Sequence, residues 1–204
     1  MSRRRRLAGC LLLASVFLLV SSSAVSAERP GLRFSHGARW SLRSKSAAGS
    51  EVLGRAELAW MERARWFLAP FAEVRGDVDH GNWSRAELGA ELGLTPFSWF
   101  TVSHGLHRAW LSGLGDRFEW EVRSLLTWPA AFLPKIGTRP VVLYALNEYT
   151  YDLESGRGLR NEVAAGFKIP LPAKRWTLVL GWRHLDLIHG LDMDQFESSF
   201  EIQF

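Results

Sequence analysis

The sequence predicts an all-β fold, an antiparallel up-and-down transmembrane β-barrel of about ten strands, and three observations predict it. Apolar and polar side chains alternate with a period of two, opposite charges recur two residues apart, and the chain ends on a half-apolar strand with a C-terminal aromatic residue. Ala86, Leu88, Ala90, Leu92 and Leu94 interleave with Arg85, Glu87, Gly89, Glu91 and Gly93. Phe118, Trp120, Val122, Ser124 and Leu126 do so with Arg117, Glu119, Glu121 and Arg123, and Val163, Ala165, Phe167 and Ile169 with Glu162, Ala164, Gly166 and Lys168. The charge unit recurs as Arg55/Glu57, Glu73/Arg75, Arg85/Glu87, Glu121/Arg123 and Arg160/Glu162. It separates strand from helix, because residues i and i+2 share a face on a strand but point about 200° apart on a helix.

The elements follow from the N-terminus. Arg3 to Arg6, an apolar run from Leu7 to Val20, Ser21-Ser22-Ser23 and the small-residue site Val25-Ser26-Ala27 form the three regions of a secretory signal peptide, with cleavage expected after Ala27 and residues 28–204 forming the barrel. Leu7-Ala8-Gly9-Cys10 spells a lipoprotein box, but it precedes the apolar run instead of following it, and Ser2-Arg3-Arg4 suggests a folded-export route unsuited to a barrel that inserts unfolded. No later segment reaches the roughly 18 uninterrupted apolar residues of a membrane helix. Removing the four leader arginines from 25 Lys+Arg leaves 21, against 21 Asp+Glu, so the mature chain is neutral and gives no reason to expect a nucleic-acid partner. Cys10, the sole cysteine, leaves with the leader, which excludes disulfide and thiolate chemistry.

The first strand is expected at 32–43, ahead of the turn signal Ala48-Gly49-Ser50. Strands 51–60 and 65–78 carry the Arg55/Glu57 and Glu73/Arg75 pairs, although Ala56 to Ala64 is rich in helix formers and leaves eight or twelve strands open. His80-Gly81-Asn82 introduces 83–95 and then 98–111, Leu114-Gly115-Asp116 introduces 117–128, and the proline-flanked segment Pro129 to Gly137 leads to 139–151. That segment reads as a packed turn, with a protein contact as the alternative. Ser155-Gly156-Arg157-Gly158 introduces 160–171, and 175–185 and 192–204 complete the set. An even number puts both termini on one side, the periplasm.

Trp60, Trp66, Trp99, Trp128 and Trp176 then fall beside periplasmic turns, and Trp40, Trp83 and Trp110 beside outer loops, as expected of indoles at two headgroup levels. A tryptophan-rich soluble sandwich would instead collect its rings at strand centres. The inward face carries Arg55, Arg75, Arg85, Arg117, Arg123, Arg160, Lys168 and Arg183 against Glu57, Glu73, Asp77, Glu87, Glu91, Glu119, Glu121, Glu148, Glu162, Glu197 and Glu201. In so narrow a barrel these side chains should pair and largely occlude the interior; a narrow channel is the alternative. His104 and His107, three apart, point to opposite faces and cannot ligate together. His184, Asp186 and His189, with Asp192 and Asp194 beside them and Asp79 and His80 across the wall, form a candidate cluster for a surface hydrolase or acyl-transfer enzyme. No G-x-S-x-G elbow accompanies it, and no metal or cofactor is called for.

The closing strand places Phe196, Phe200, Ile202 and Phe204 on one face and Glu197, Glu201 and Gln203 on the other, which resembles the ending of bacterial outer-membrane barrels. Phe200, Ile202 and Phe204 are therefore expected to act as the insertion signal. The alternating Glu-x-Arg strands, the segment Leu146-Asn147-Glu148-Tyr149-Thr150-Tyr151-Asp152 and Arg160-Asn161-Glu162 resemble small bacterial outer-membrane barrels catalogued as a domain of unknown function, over most of residues 50–204. The resemblance implies a fold and a compartment, the Gram-negative outer membrane, but no reaction. The partners it implies are outer-membrane lipid, lipopolysaccharide and the barrel insertion machinery.

Overall fold

The computed structural model describes residues 31–41, 51–59, 65–77, 81–173, 175–188, 190 and 192–204. Ten strands follow one another: β1 (Gly31–Ser41), β2 (Glu51–Ala59), β3 (Trp66–Asp77), β4 (Asn82–Phe97), β5 (Phe100–Leu111), β6 (Gly115–Pro129), β7 (Val142–Asp152), β8 (Arg157–Pro170), β9 (Trp176–Leu187) and β10 (Met193–Gln203). Each pairs antiparallel with its chain neighbours, and β1 also pairs with β10, so the sheet closes on itself. The closing register sets Phe34 opposite Ile202 and His36 opposite Phe200, and the last backbone bond runs from Phe204 N to Leu32 O at 2.8 Å. Closure leaves no strand edge with unpaired amides. The expected signal peptide, 1–27, lies outside the described residues.

The run of helix formers near residue 56 is strand. Ala56 sits in a ladder between Phe34 of β1 and Ala72 of β3, and ladder bonds on both sides outweigh a propensity worth tenths of a kcal/mol per residue. The barrel is thus ten-stranded, not eight or twelve. β7 starts at Val142, later than the expected 139. Arg139 is held in a bridge with Ile136, with N···O distances of 3.0 and 3.3 Å, and Pro140 has no N–H to give a ladder. β4, β6 and β8 run past their expected ends into tight hairpins, where Gly113 and Gly156 adopt φ of 78° and 68°, a left-handed backbone that glycine enters without strain. The Pro129–Gly137 connection is packed at its root: Ala130 is buried and bonds Val141 O at 2.8 Å, and Arg139 donates to Leu171 O and Ala173 O of the β8–β9 turn. Its tip, Phe132, is exposed.

The alternation sorts side chains onto two faces. Glu73, Arg75, Arg85, Glu87, Glu119, Glu121, Glu148, Arg160, Glu162 and Arg183 are buried in the lumen, whereas Phe118, Trp128, Val163, Phe167, Trp176, Trp182, Phe196 and Phe200 are exposed on the outside. The polar groups are inside and the apolar ones outside, the reverse of a water-soluble domain.

Candidate functional site

The lumen is the candidate site. An arginine reaches a carboxylate two positions along its own strand: Arg75 to Glu73 at 2.6 Å, Arg85 to Glu87, Arg160 to Glu162 at 3.1 Å, Arg123 to Glu121 at 3.1 Å and Arg55 to Glu57 at 3.4 Å. The same guanidiniums also join strands that are not neighbours. Arg55 of β2 reaches Glu91 of β4 at 3.1 Å, Arg123 of β6 reaches Glu91 at 3.3 Å, and Arg85 of β4 reaches Glu119 of β6 at 2.5 Å. Arg123 also binds Glu148 at 2.8 Å, and Arg183 bridges Glu162 and Glu197. The result is a belt of alternating charge around the inner wall. Each guanidinium of the belt meets at least one carboxylate, the condition for holding a buried charge away from water.

The belt's most deeply buried side chains lie in the half of the lumen remote from the termini. Glu119 and His107 are 0 % exposed, Thr150 0 % and Glu162 1 %. His107 Nε2 lies 3.2 Å from Glu119 and 3.7 Å from Glu87, and its ring packs on Phe71. Toward the terminal end the lumen widens into a cavity of about 190 Å³, where Arg33 pairs with Glu57 at 3.5 Å and Lys168 with Glu201 at 3.0 Å.

Of the charges assigned inward from sequence, Arg55, Glu57, Glu73, Arg75, Arg85, Glu87, Glu91, Glu119, Glu121, Arg123, Glu148, Arg160, Glu162, Lys168, Arg183, Glu197 and Glu201 take part in these ion pairs. His107, Arg33, Arg39 and Tyr144 were not among them. Strand parity carries the signal for each: His107 shares a row with Ser103 and Gly105, and Arg33 and Arg39 share one with Ser35 and Gly37.

Of the His/Asp cluster, the described members His184, Asp186 and Asp194 lie on β9 and β10. His184 and Asp194 face each other across β9 and β10 on the outside, with Nδ1···Oδ1 at 3.0 Å, and Trp182 Nε1 donates to the same oxygen at 3.2 Å while stacking on His184. Asp186 lies at the end of β9, in register with Asn161 of β8. Asp77, the described residue nearest in sequence to Asp79 and His80, belongs to the inward row of β3, and β2, β1 and β10 stand between it and β9. Asp79, His80 and His189 lie outside the described residues. Among the described residues no group of three or more His, Cys, Asp or Glu could hold a metal ion.

Of the tryptophans, Trp66, Trp99, Trp128 and Trp176 are exposed around the terminal end, Trp83 is exposed and Trp110 half-buried near the opposite end, Trp40 falls in β1, and Trp60 lies outside the described residues. Phe97 and Trp99 stack at 5.2 Å beside an open outer groove of about 640 Å³. Phe200 meets Trp176 edge-on at 6.4 Å, and Phe204 meets Phe34 in the same way at 6.0 Å.

No protein-family profile matches the chain, and no curated protein sequence matches it. Among solved structures the chain is similar to the NanC porin (TM-score 0.47, 10% identity, 86% of this chain and 100% of that one) and the KdgM porin (0.46, 8%, 85% and 99%). It is also similar to the translocator domain of the autotransporter NalP from Neisseria meningitidis (0.44, 11%, 98% of each chain).

Proposed function

We propose that this protein is an integral β-barrel of the bacterial outer membrane, non-enzymatic, with a lumen closed to solutes by its own charge belt. The inverted distribution of polarity carries the reading. A surface bearing Phe118, Trp128, Val163, Phe167, Phe196 and Phe200 around a core of Arg and Glu suits hydrocarbon outside and ion pairs within, and is unfavourable in water. Exposed indoles toward both ends support two interfacial girdles. Lipid and lipopolysaccharide are the partners of the outer face, and Phe200, Ile202 and Phe204 the signal read by the insertion machinery. Closure is favoured over conduction because His107, Glu119, Glu162 and Thr150 fill the lumen at one level without reaching solvent.

Two measurements test this. The mature protein should fractionate with outer membranes and migrate with heat-modifiable mobility; recovery from the soluble periplasm would refute the membrane assignment. In planar bilayers the purified barrel should give no unitary steps, whereas replacing Arg85, His107 and Glu119 together by alanine should produce them. Regular steps from the unaltered protein would refute closure.

A further inference from the structure

We infer that the cavity at the terminal end of the lumen is a binding site for a small organic carboxylate with a short apolar body. The inference rests on the closed barrel; only the statement that the site faces the periplasm rests on the membrane reading. Its wall is two-sided. Leu125, Leu146, Val179 and the ring of Tyr144 line one part, an apolar patch inside an otherwise charged lumen, and a row of cations lines the rest. The wall has acidic side chains enough to pair its cations, yet one cation is left over. Arg33, Arg55, Arg75, Arg123, Lys168 and Arg183 each have a carboxylate within 4.0 Å. Arg39, 8 % exposed, makes no ion pair among the described residues, and its Nε has no hydrogen-bond partner.

A second orphan lines the same cavity. Tyr144 is 6 % exposed, and its hydroxyl has no partner. The phenol extends across the lumen onto Gly181, where an added Cβ would fall on the hydroxyl, so glycine there makes room for it. Gly181 is in register with Glu197, and Glu197 with Arg39, so both orphans occupy one level of the β9–β10–β1 wall. Buried polar groups are ordinarily satisfied, and two unsatisfied groups on residues that line one cavity define what it lacks. A carboxylate supplies it: one oxygen accepts from Arg39 Nε–H, the other from Tyr144 O–H, and the carbon chain rests on Leu125, Leu146 and Val179. At roughly 30 Å³ per water-sized group, a cavity of about 190 Å³ takes an acid of about six non-hydrogen atoms, that is, of about four carbons. The belt of ion pairs below makes the cavity a dead end, a place of binding and not of passage.

The test is calorimetric titration of the folded full-length mature barrel in detergent micelles with butyrate, beside butan-1-ol and inorganic phosphate. Butyrate should bind saturably at one site, and butan-1-ol and phosphate should not. Tyr144→Phe removes only a hydroxyl that bonds to nothing, so it should fold normally and weaken butyrate by about tenfold. Arg39→Gln should abolish binding. Where Arg39→Gln lacks heat-modifiable mobility, Tyr144→Phe decides alone. Absence of saturable binding to the unaltered protein, as expected if the cavity holds water only, overturns the site. So does unchanged affinity in Tyr144→Phe, or equal binding of phosphate and butyrate. Because the titration uses purified barrel, failure of the membrane reading would appear in fractionation and leave this result standing.

Discussion

Replacing Arg123 by methionine, which keeps the stem and removes the charge, tests whether the belt holds the barrel together. The guanidinium lies 2.8 Å from Glu148, 3.1 Å from Glu121 and 3.3 Å from Glu91, joining carboxylates of three strands. At an effective dielectric of about 20, each contact is worth roughly 5 kcal/mol before desolvation is subtracted. Most of that gross attraction is offset by the cost of burial, but its loss leaves the buried Glu121 without a cation and leaves Glu91 and Glu148 with only Arg55 and Arg160. Breaking such a pair costs about 3–5 kcal/mol, a large share of a total stability of about 5–15 kcal/mol. The assay is urea unfolding of the barrel in phospholipid vesicles, followed by tryptophan fluorescence. Arg123→Met should lower the midpoint sharply, and Glu148→Gln in the same chain should restore part of the loss, with a coupling of about 1–3 kcal/mol. Arg123→Lys should recover little, because one ammonium cannot span three carboxylates as a guanidinium fork does. A stability within about 0.5 kcal/mol of wild type for Arg123→Met would refute the idea that the pairs, and not packing alone, secure the lumen.

Three further outcomes follow from the geometry. Gly93→Ala places a methyl on the Phe67 ring and should destabilise the barrel by about 1–3 kcal/mol in the same urea assay, whereas Gly54→Ala meets only His36 Nδ1 at 3.9 Å and should be neutral. Asp152 accepts from Glu154 N at 2.9 Å and from the Ser155 hydroxyl at 2.7 Å, so Asp152→Ala should loosen the 153–156 turn and speed its cleavage by protease added to intact cells. Deleting Phe204 removes the bond from its amide to Leu32 and the Phe34 contact, about 1–2 kcal/mol in the refolded barrel, but should sharply reduce the heat-modifiable protein assembled in cells, while Phe204→Tyr should be tolerated.

The strands were legible because a period of two leaves a mark that few other arrangements leave. Arg85/Glu87 and Glu121/Arg123 each declare a shared face, and the face they declare is the lumen. Parity also split His104 from His107, the first exposed outside and the second fully buried. What parity does not carry is which strands meet across the interior. That Arg55 of β2 reaches Glu91 of β4, or that Tyr144 of β7 lies over Gly181 of β9, depends on tilt, closure and the reach of long side chains. The same limit applies to the His184 and Asp194 pair. Their opposition across β9 and β10 follows from hairpin register, which parity within one strand does not carry.

The charge belt and the route to the membrane place one joint constraint on the sequence. A lumen packed with leucine would be at least as stable by area, since replacing buried ion pairs with apolar side chains is often neutral or favourable. It would also make each strand apolar on both faces, a continuous hydrophobic run of the kind that a membrane helix presents. With Arg and Glu at alternate positions the whole chain keeps a mean hydropathy of −0.05, and each segment stays soluble until the sheet closes and the pairs form. On the outer-membrane reading this matters, because the chain must cross one membrane without lodging there before entering the next. The ion pairs are thus better explained by the unfolded chain's need for polarity than by any gain in the folded state. The corollary is local: Glu121→Leu, Arg123→Leu and Glu148→Leu together should leave the refolded barrel within about 1–2 kcal/mol of wild type, and multiplying such replacements along β6 and β7 should reduce the amount exported before it reduces the stability of what arrives.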